Sequence, residues 1–171
     1  MKKVGTIFAV LVGIVILLGL LLPSQYTVTR SQIIQAPSAS IHPHVNDLNK
    51  WKAWAPWKED DPSLVVTLGN ISSGVGAHQS WVGKDGKGSL TFTRSSPDKG
   101  IDYQLSFDDT YRCEASLHYD EKENDTLVTW EMKGDMDIPL FGGYFAVMMD
   151  GMAGPMFEKG LSNLKKIVEE S

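Results

Sequence analysis

Histidines and neighbouring carboxylates are the residues of this sequence that could perform acid–base chemistry or hold a metal ion. The four histidines are scattered: His42 and His44 flank a proline, His78 lies near a turn, and His118 lies on the polar face of an alternating run. A zinc site needs three or four ligands at characteristic spacings, and these histidines have no such partners. The histidine pattern therefore predicts no metal site and no catalytic residue.

Carboxylates are grouped in two charged turns, one at Glu59, Asp60 and Asp61 and one at Asp108 and Asp109. Two carboxylates can share acid and base roles when one of them is held in apolar surroundings, but carboxylates in turns are usually solvated. We therefore expect no catalytic carboxylate here and no cofactor. Proton transfer would need a buried Asp or His on the inner face of a sheet, and the spacing of residues points to none.

Tryptophans indicate a different kind of site, one that binds apolar molecules. Trp51, Trp54 and Trp57 are spaced by three residues, so they lie near one face of a helix. Indoles in that position can line the mouth of a cavity or pack a short helix onto a sheet, and packing alone explains the spacing. Trp81 and Trp130 leave the same two interpretations open.

Methionines are concentrated near the start of the last helical segment, at Met148, Met149, Met152 and Met156, with Tyr144 just before them. Flexible thioethers adapt to apolar ligands of varied shape, and they also fill cores. Aromatic residues alternate with polar ones on two strands and therefore share the apolar faces of those strands: Tyr103, Phe107, Tyr111 and Tyr119. A tyrosine hydroxyl there could orient the polar end of a ligand.

These residues need a scaffold, and the alternation of apolar and polar residues predicts one made of strands. A first strand is expected over residues 26–35, and six more follow at 64–68, 78–82, 90–93, 101–107, 111–119 and 127–132. The turns between the later strands are too short for parallel crossovers, so these six strands should form an antiparallel meander. One face of this sheet is apolar and must be covered.

Helical patterns supply the cover. Two short helices are expected over residues 38–48 and 50–57. In a long helix after Pro139, spacings of three and four residues produce one apolar stripe made of Phe157, Leu161, Leu164 and Val168. Gly154 and Pro155 should break or kink this helix.

The amino-terminal segment, residues 4–22, is apolar and uncharged and follows Lys2 and Lys3. A helix of that length rises about 28 Å, close to the thickness of the hydrocarbon core of a bilayer. A cleaved signal peptide has a shorter apolar core and a small-residue cleavage site, so an uncleaved anchor fits better. The two lysines predict an amino terminus in the cytoplasm and a domain on the outer, periplasmic side of a bacterial inner membrane.

The length of the chain fits one anchor with its linker, residues 1–25, and one domain, residues 26–171. The 171 residues include 21 acidic and 16 basic ones, an acidic balance that argues against a nucleic-acid partner. Cys113 is the only cysteine, so the chain can form no internal disulfide. The apolar neighbours of Cys113 predict that it is buried for packing.

The order of one strand, two short helices, six antiparallel strands and a long final helix occurs together with several short motifs. These are Val45-Asn46-Asp47-Leu48, the tryptophans with Pro56, Gly74-Val75-Gly76-Ala77 before Trp81, Gly88-Ser89-Leu90, and Phe157-Glu158-Lys159-Gly160-Leu161. Over most of its length the chain resembles the START-like superfamily, which includes polyketide cyclases, Bet v 1 and lipid-transport proteins. It is similar to the bacterial branch in which a membrane anchor precedes the domain.

The resemblance implies an α+β helix-grip fold, in which a seven-stranded antiparallel sheet wraps a long carboxy-terminal helix and encloses a cavity. Members hold lipids, sterols, polyketides or hormones there, and some are cyclases or dehydratases. A fold shared by carriers and enzymes does not settle the function. On this resemblance, the residues expected to line the cavity are Trp54, Trp57, Trp81, Tyr103, Phe107, Tyr111, Trp130, Tyr144, Met148, Met149 and Met152.

Three functions are compatible with these patterns. In the first, a membrane-tethered domain binds a hydrophobic small molecule or lipid and performs no chemistry of its own, with residues 4–22 in the membrane. In the second, a cyclase-type or dehydratase-type enzyme uses the same cavity, which would require an ionisable residue of perturbed pKa in its wall. In the third, the outer acidic face or a sheet edge contacts a protein partner that the sequence does not identify.

Overall fold

The computed structural model describes the backbone of residues 2–171, with the side chains of residue 7 and of residues 10–171 apart from residue 60. Its helices are α1 (Lys2–Leu21), α2 (Ser38–Val45), α3 (Leu48–Trp54), α4 (Trp57–Asp60) and α5 (Gly142–Glu169). Its strands are β1 (Gln25–Ile34), β2 (Val65–Leu68), β3 (His78–Gly83), β4 (Gly86–Ser96), β5 (Gly100–Phe107), β6 (Tyr111–Lys122) and β7 (Asp125–Asp135).

The strands form one seven-stranded sheet in the order β1-β7-β6-β5-β4-β3-β2. Every neighbouring pair is antiparallel. The predicted meander from β2 to β7 is therefore confirmed, and β1 extends the sheet by pairing with β7. An α+β fold with a seven-stranded antiparallel sheet and a long carboxy-terminal helix is the observed architecture.

Tight turns keep this meander in register. Gly100, at the start of β5, has a φ of 93°, and a Cβ there would collide with the carbonyl oxygen of Leu117 on β6. Asp108 and Asp109 adopt φ values of 48° and 60° between β5 and β6, a left-handed conformation that aspartate tolerates better than most residues. These conformations allow the hairpins to be as short as the sequence predicts.

Helix α5 covers the inner face of the sheet with the predicted stripe, since Phe157, Leu161 and Leu164 are all buried. Of the predicted break or kink at Gly154 and Pro155, the break is wrong, because α5 runs through both residues without interruption, and the kink stays a prediction. Pro155 is exposed, and Gly151, four residues earlier, has open space where its side chain would be. The displaced carbonyl of Gly151 can therefore turn toward solvent without colliding with a neighbour.

Three contacts fix α5 on the sheet. The ring of Phe157 stacks on Trp130 of β7, with centroids 4.3 Å apart and planes 2° from parallel. Gly160 brings the helix backbone close to the same indole, where an added Cβ would lie 2.7 Å from a ring carbon of Trp130. On β1, Arg30 donates to Asp150 at 2.7 Å and to Glu158 at 2.6 Å, which joins the strand to two turns of the helix.

Helices α2 and α3 form a compact pair at one end of the sheet. Asp47 caps α3 by accepting from the backbone N–H of Asn49 at 2.9 Å, so this helix begins two residues before the predicted position. The indole N–H of Trp51 donates to the carbonyl of Val45 at 2.7 Å, and that of Trp54 donates to the carbonyl of His44 at 3.1 Å. Both tryptophans are buried, so they serve packing of these helices.

His42 of α2 is a buried imidazole held in a chain of hydrogen bonds. Its Nε2 lies 3.2 Å from the Ser95 hydroxyl, which itself donates to the side-chain oxygen of Asn46, and its Nδ1 lies 3.5 Å from the Tyr119 hydroxyl. This arrangement suits a neutral ring with Nε2–H as donor and Nδ1 as acceptor. Burial lowers the pKa of His42, and the nearby carboxylate of Asp98 opposes that shift.

The amino-terminal helix α1 packs beside the start of α5. The hydroxyl of Tyr144 donates to the carbonyl of Val15 at 2.6 Å. The predicted anchor, residues 4–22, lies partly outside the side chains that the structure describes. Among the described residues, no helix combines the length and the apolar character needed to cross a bilayer, so the expected transmembrane helix is not confirmed.

Two glycines of α5 provide a matched test of how the helix sits on the sheet. Ala in place of Gly151, which has open space around it, should raise the free energy of unfolding by about 0.5–1 kcal/mol through helix propensity. Gly160→Ala should lower it by about 1–3 kcal/mol, because the new methyl group overpacks against Trp130. Urea unfolding of the two variants measures both changes. Equal stabilisation by both substitutions would contradict the close approach at Gly160.

Burial of His42 predicts destabilisation in mild acid. Its pKa in the folded protein is below the value of about 6.5 for an exposed histidine, so below that pH the unfolded chain binds a proton that the folded chain does not. The free energy of unfolding should be undiminished above about pH 6.5 and fall as the pH decreases, before carboxylates protonate near pH 4. Chemical denaturation across this range measures the slope.

His42→Gln should flatten that slope, since glutamine does not titrate and can still hydrogen-bond. Burial also lowers the pKa of His44, so His44→Gln should remove a further part of the acid sensitivity. An unchanged slope in His42→Gln would show that the buried imidazole does not titrate in this range.

Candidate ligand-binding cavity

A cavity of about 430 Å³ lies between the inner face of the sheet and α5. The sheet contributes Val66, Gln79, Trp81, Leu90, Tyr103, Leu105, Phe107 and Met132. The helices contribute Trp51, Trp57, Met149, Met152, Ala153, Met156 and Phe157. The rim is completed by residues of the connecting segments and of the adjoining strand ends: Asp61, Leu64, Asp85 and Asp108 in the first group, and Gly83, Gly86 and Lys87 in the second.

Strand register explains why these side chains share one space. Gln79 pairs with Leu90, and Leu90 pairs with Leu105 on the next strand, so the three side chains form a row across the inner face. A second row runs from Trp81 past Gly88 to Phe107. Because Gly88 has no side chain, the Trp81 indole lies across it and meets the Phe107 ring at 5.7 Å.

The opposite end of the space between sheet and helix is filled by aromatic rings. Trp130 is completely buried and is surrounded by Trp51, Trp54 and Trp57, whose ring centroids lie 5.5–6.5 Å from its own. Phe157 stacks on its remaining face. This end is therefore densely packed, and the cavity extends from Trp51, Trp57 and Phe157 toward Trp81 and the turns.

Tyr103 supplies a hydroxyl group to the wall of the cavity. It accepts a hydrogen bond of 2.8 Å from the indole N–H of Trp130. Burial raises the pKa of Tyr103, and the Trp130 hydrogen bond only partly opposes the shift. The phenol therefore keeps its proton at neutral pH, which makes it a neutral donor and acceptor rather than a base.

Two ionisable groups at the rim, Asp61 and Lys87, interact with neighbouring turns. Asp61 accepts from the Ser63 hydroxyl at 2.5 Å, the Ser63 backbone N–H at 2.9 Å and the Lys84 backbone N–H at 2.8 Å, and these bonds lower its pKa. Lys87 forms an ion pair with Asp109 at 2.5 Å. Among the described residues, no group of three or more His, Cys, Asp or Glu side chains is arranged to hold a metal ion.

Six of the side chains expected in the cavity line it, and five do not. The six are Trp57, Trp81, Tyr103, Phe107, Met149 and Met152. Trp54 and Trp130 lie in the aromatic core instead, because each indole is enclosed by its neighbours.

The other three expected side chains have partners or exposure elsewhere. The Tyr111 hydroxyl donates to the Tyr26 hydroxyl at 2.5 Å. Tyr144 contacts α1, and Met148 is exposed on the outer side of α5. Met148 and Met149 are adjacent in sequence, but their side chains point about 100° apart around the helix axis. Only Met149 therefore faces the sheet.

Several lining residues escaped the sequence analysis. Leu90 and Leu105 share a strand face with Phe92 and Tyr103, so alternation alone could have identified them. Gln79 lies two residues before Trp81 and hence on the same face of β3, but a polar residue is not expected on an apolar face, so it was not predicted to line the cavity. The segment that contains Asp61 was expected to be a solvated charged turn, but Asp61 is buried, since a turn reaches the rim only through the tertiary fold.

Comparison with known proteins gives a family for this architecture. Residues 25–169 match the family model described as polyketide cyclase / dehydrase and lipid transport. No curated protein matches the sequence.

Solved structures share the fold at low sequence identity. A Thermobifida fusca protein is 18% identical with a TM-score of 0.64, covering 84% of this chain and 93% of its own. A Chromobacterium violaceum protein is 16% identical with a TM-score of 0.61, covering 84% and 98%. Norcoclaurine synthase from Thalictrum flavum, solved with dopamine and hydroxybenzaldehyde, is 12% identical with a TM-score of 0.60, covering 85% and 87%.

The START-like resemblance is confirmed by these matches. The helix-grip architecture of residues 25–169 is what the family model and the solved structures have in common with this chain. By the extent of that match, the chain belongs to the polyketide cyclase / dehydrase and lipid transport family.

Proposed function

We propose that this protein binds a hydrophobic small molecule or lipid in the cavity between its sheet and α5. The observation that carries the proposal is the cavity itself, about 430 Å³ with a wall made mostly of apolar and aromatic side chains. Small-molecule sites are typically concave, of about 300–1,000 Å³, and apolar with a few polar groups. Burial of apolar ligand surface there supplies the binding free energy.

The cavity has a route to the surface for such a ligand. Met152 of α5 and Lys87 of the rim line the cavity and are also exposed. A ligand can therefore enter between the first half of α5 and the turns after β3 and β5. The flexible thioethers of Met149, Met152 and Met156 can adjust to its shape.

The polar groups of the site support binding more than catalysis. Asp61 and Lys87 are engaged with neighbouring turns, and the Tyr103 phenol remains protonated. A cyclase or dehydratase needs a group whose pKa suits proton transfer at the reacting atoms. We therefore propose retention and delivery of the ligand, without covalent chemistry.

We further propose that residues 4–22 tether the domain to a bacterial inner membrane, with the amino terminus in the cytoplasm and the domain on the periplasmic side. Support comes from the uncharged apolar segment after Lys2 and Lys3. Apolar side chains at the start of α5, namely Phe141 just before the helix and Phe145 and Met148 within it, are exposed. A tether of this kind would keep the entrance of the cavity near the lipid.

Filling the cavity should abolish binding of an apolar probe. Ala153 is buried, and its methyl group lines the cavity. Ala153→Phe places a ring in that space, so the affinity for the neutral fluorophore N-phenylnaphthylamine should fall by about tenfold or more, equivalent to at least about 1.4 kcal/mol. Fluorescence titration of the full chain in detergent measures the change.

The matched control is Val147→Phe, which adds the same ring to an exposed position on α5 and should leave probe affinity unchanged. Circular dichroism melting establishes that both variants are folded. Failure of the unmodified protein to bind the probe, or equal binding by Ala153→Phe, would refute binding in this cavity.

Membrane tethering predicts resistance to alkaline extraction. The full chain expressed in bacteria should remain in the membrane pellet, and the double substitution Leu11→Arg and Leu17→Arg should release it, since each arginine costs about 2.5–3.5 kcal/mol at the centre of a membrane helix. The control Ile33→Arg with Ile71→Arg adds the same charge to exposed positions of the domain. Release of the unmodified chain into the supernatant would exclude the tether.

A further inference from the structure

Gln79 is a buried amide in the wall of the cavity. The residue is 4% exposed, and its side chain lies on the inner face of β3, on the same face as Trp81. Its partners on the neighbouring strands are Leu68 and Leu90, which provide no polar side chain. A group with two donors and a carbonyl acceptor is therefore set into an apolar wall.

The amide of Gln79 has no hydrogen-bond partner among the described residues. Within the same part of the chain, no side-chain nitrogen or oxygen is both fully enclosed and unpaired. The amide atoms must therefore open onto the cavity rather than into the protein wall. The amide therefore makes no hydrogen bond to the described protein and is available to a ligand in the cavity.

The Tyr103 hydroxyl is a second polar group that can form a further hydrogen bond. Its hydroxyl oxygen accepts from Trp130, but within the described residues no acceptor takes the hydroxyl proton. Tyr103 lies two strands away from Gln79, a separation of about 10 Å across the sheet. Both groups are uncharged hydrogen-bonding groups on one apolar surface.

Charged groups of the cavity are confined to its rim. Asp61 precedes β2, Asp85 lies in the turn between β3 and β4, and Asp108 follows β5. Lys87, the cationic residue of the lining, forms an ion pair with Asp109. A carboxylate or ammonium group beside Gln79 would thus be buried without a counter-charge, which is strongly unfavourable.

We infer that Gln79 recognises the polar end of the ligand, and that this ligand is an uncharged apolar molecule with a carbonyl, amide or hydroxyl group. The inference rests on the proposed binding function and adds the chemical class of the ligand. A neutral group of this kind satisfies the amide, whereas a fatty acid or an alkylamine brings a charge to a site without a partner for it.

Competition among ligands of equal chain length tests the inference. N-phenylnaphthylamine bound to the full chain in detergent is displaced at neutral pH with decanamide, decanoate or decylamine. Decanamide should displace the probe at about a tenfold lower concentration than the other two, because it forms one hydrogen bond with the amide and buries no charge. Equal or stronger displacement by decanoate or decylamine would overturn the inference.

Gln79→Leu removes the amide and keeps the approximate volume. It should lower the affinity for decanamide by about tenfold relative to the affinity for N-phenylnaphthylamine, which has no carbonyl group. Gln104→Leu, a matched substitution at an exposed position on β5, should change neither. Retention of full decanamide affinity by Gln79→Leu would overturn the role of the amide.

The melting temperature distinguishes a ligand-binding role of Gln79 from a structural role, because the two roles predict opposite effects of Gln79→Leu. Without ligand, Gln79→Leu should melt at the same temperature as the unmodified protein or above it, because an unpaired buried amide is removed. A clear decrease would mean that the amide supports the fold, contrary to the inference. If the unmodified protein does not bind N-phenylnaphthylamine at all, the binding function itself fails, and the inference fails with it.

Discussion

Stacking of Phe157 on Trp130 is the contact on which the rest of the fold depends. An amphipathic sheet of seven strands must cover its inner face, and α5 is the element long enough to do so. The parallel rings at 4.3 Å, with Gly160 one turn later, set the depth at which the helix meets the sheet. Arg30 joins β1 to the helix through Asp150 and Glu158, so the orientation of α5 is fixed as well.

The position of α5 on the sheet divides the space between them into two unequal parts. Trp51, Trp54 and Trp57 gather around Trp130, and together these rings pack that end densely. The other end receives the small side chain of Ala153 and the flexible methionines of α5. Close packing excludes a ligand from the first part, while the second part remains a cavity because its residues lack the bulk to fill it.

The distribution of polar groups gives the cavity its character. The buried Tyr103 hydroxyl accepts a hydrogen bond from Trp130, and the Asp61 carboxylate accepts hydrogen bonds from the turns at the rim. What remains for a ligand is a surface of apolar side chains with few neutral polar groups. Proteins of this fold include both enzymes and carriers, so such local chemistry, rather than the architecture, must decide the function. Here it favours the holding of an apolar molecule.

Alternation and helical spacing predicted the six meander strands, their antiparallel order and the buried stripe of α5 from the sequence, because burial of one face imposes those periods on the residues. The division of aromatic residues between core and cavity was settled only by the tertiary structure. Trp57 and Trp54 have the same spacing and chemistry, yet Trp57 lines the cavity and Trp54 packs behind it. Periodicity specifies which face of an element is buried, whereas whether a buried side chain meets protein or empty space depends on the volume of distant residues such as Phe157 and Gly88. The position of Gln79 in the cavity wall was decided in the same way, by a strand register that pairs it with Leu68 and Leu90.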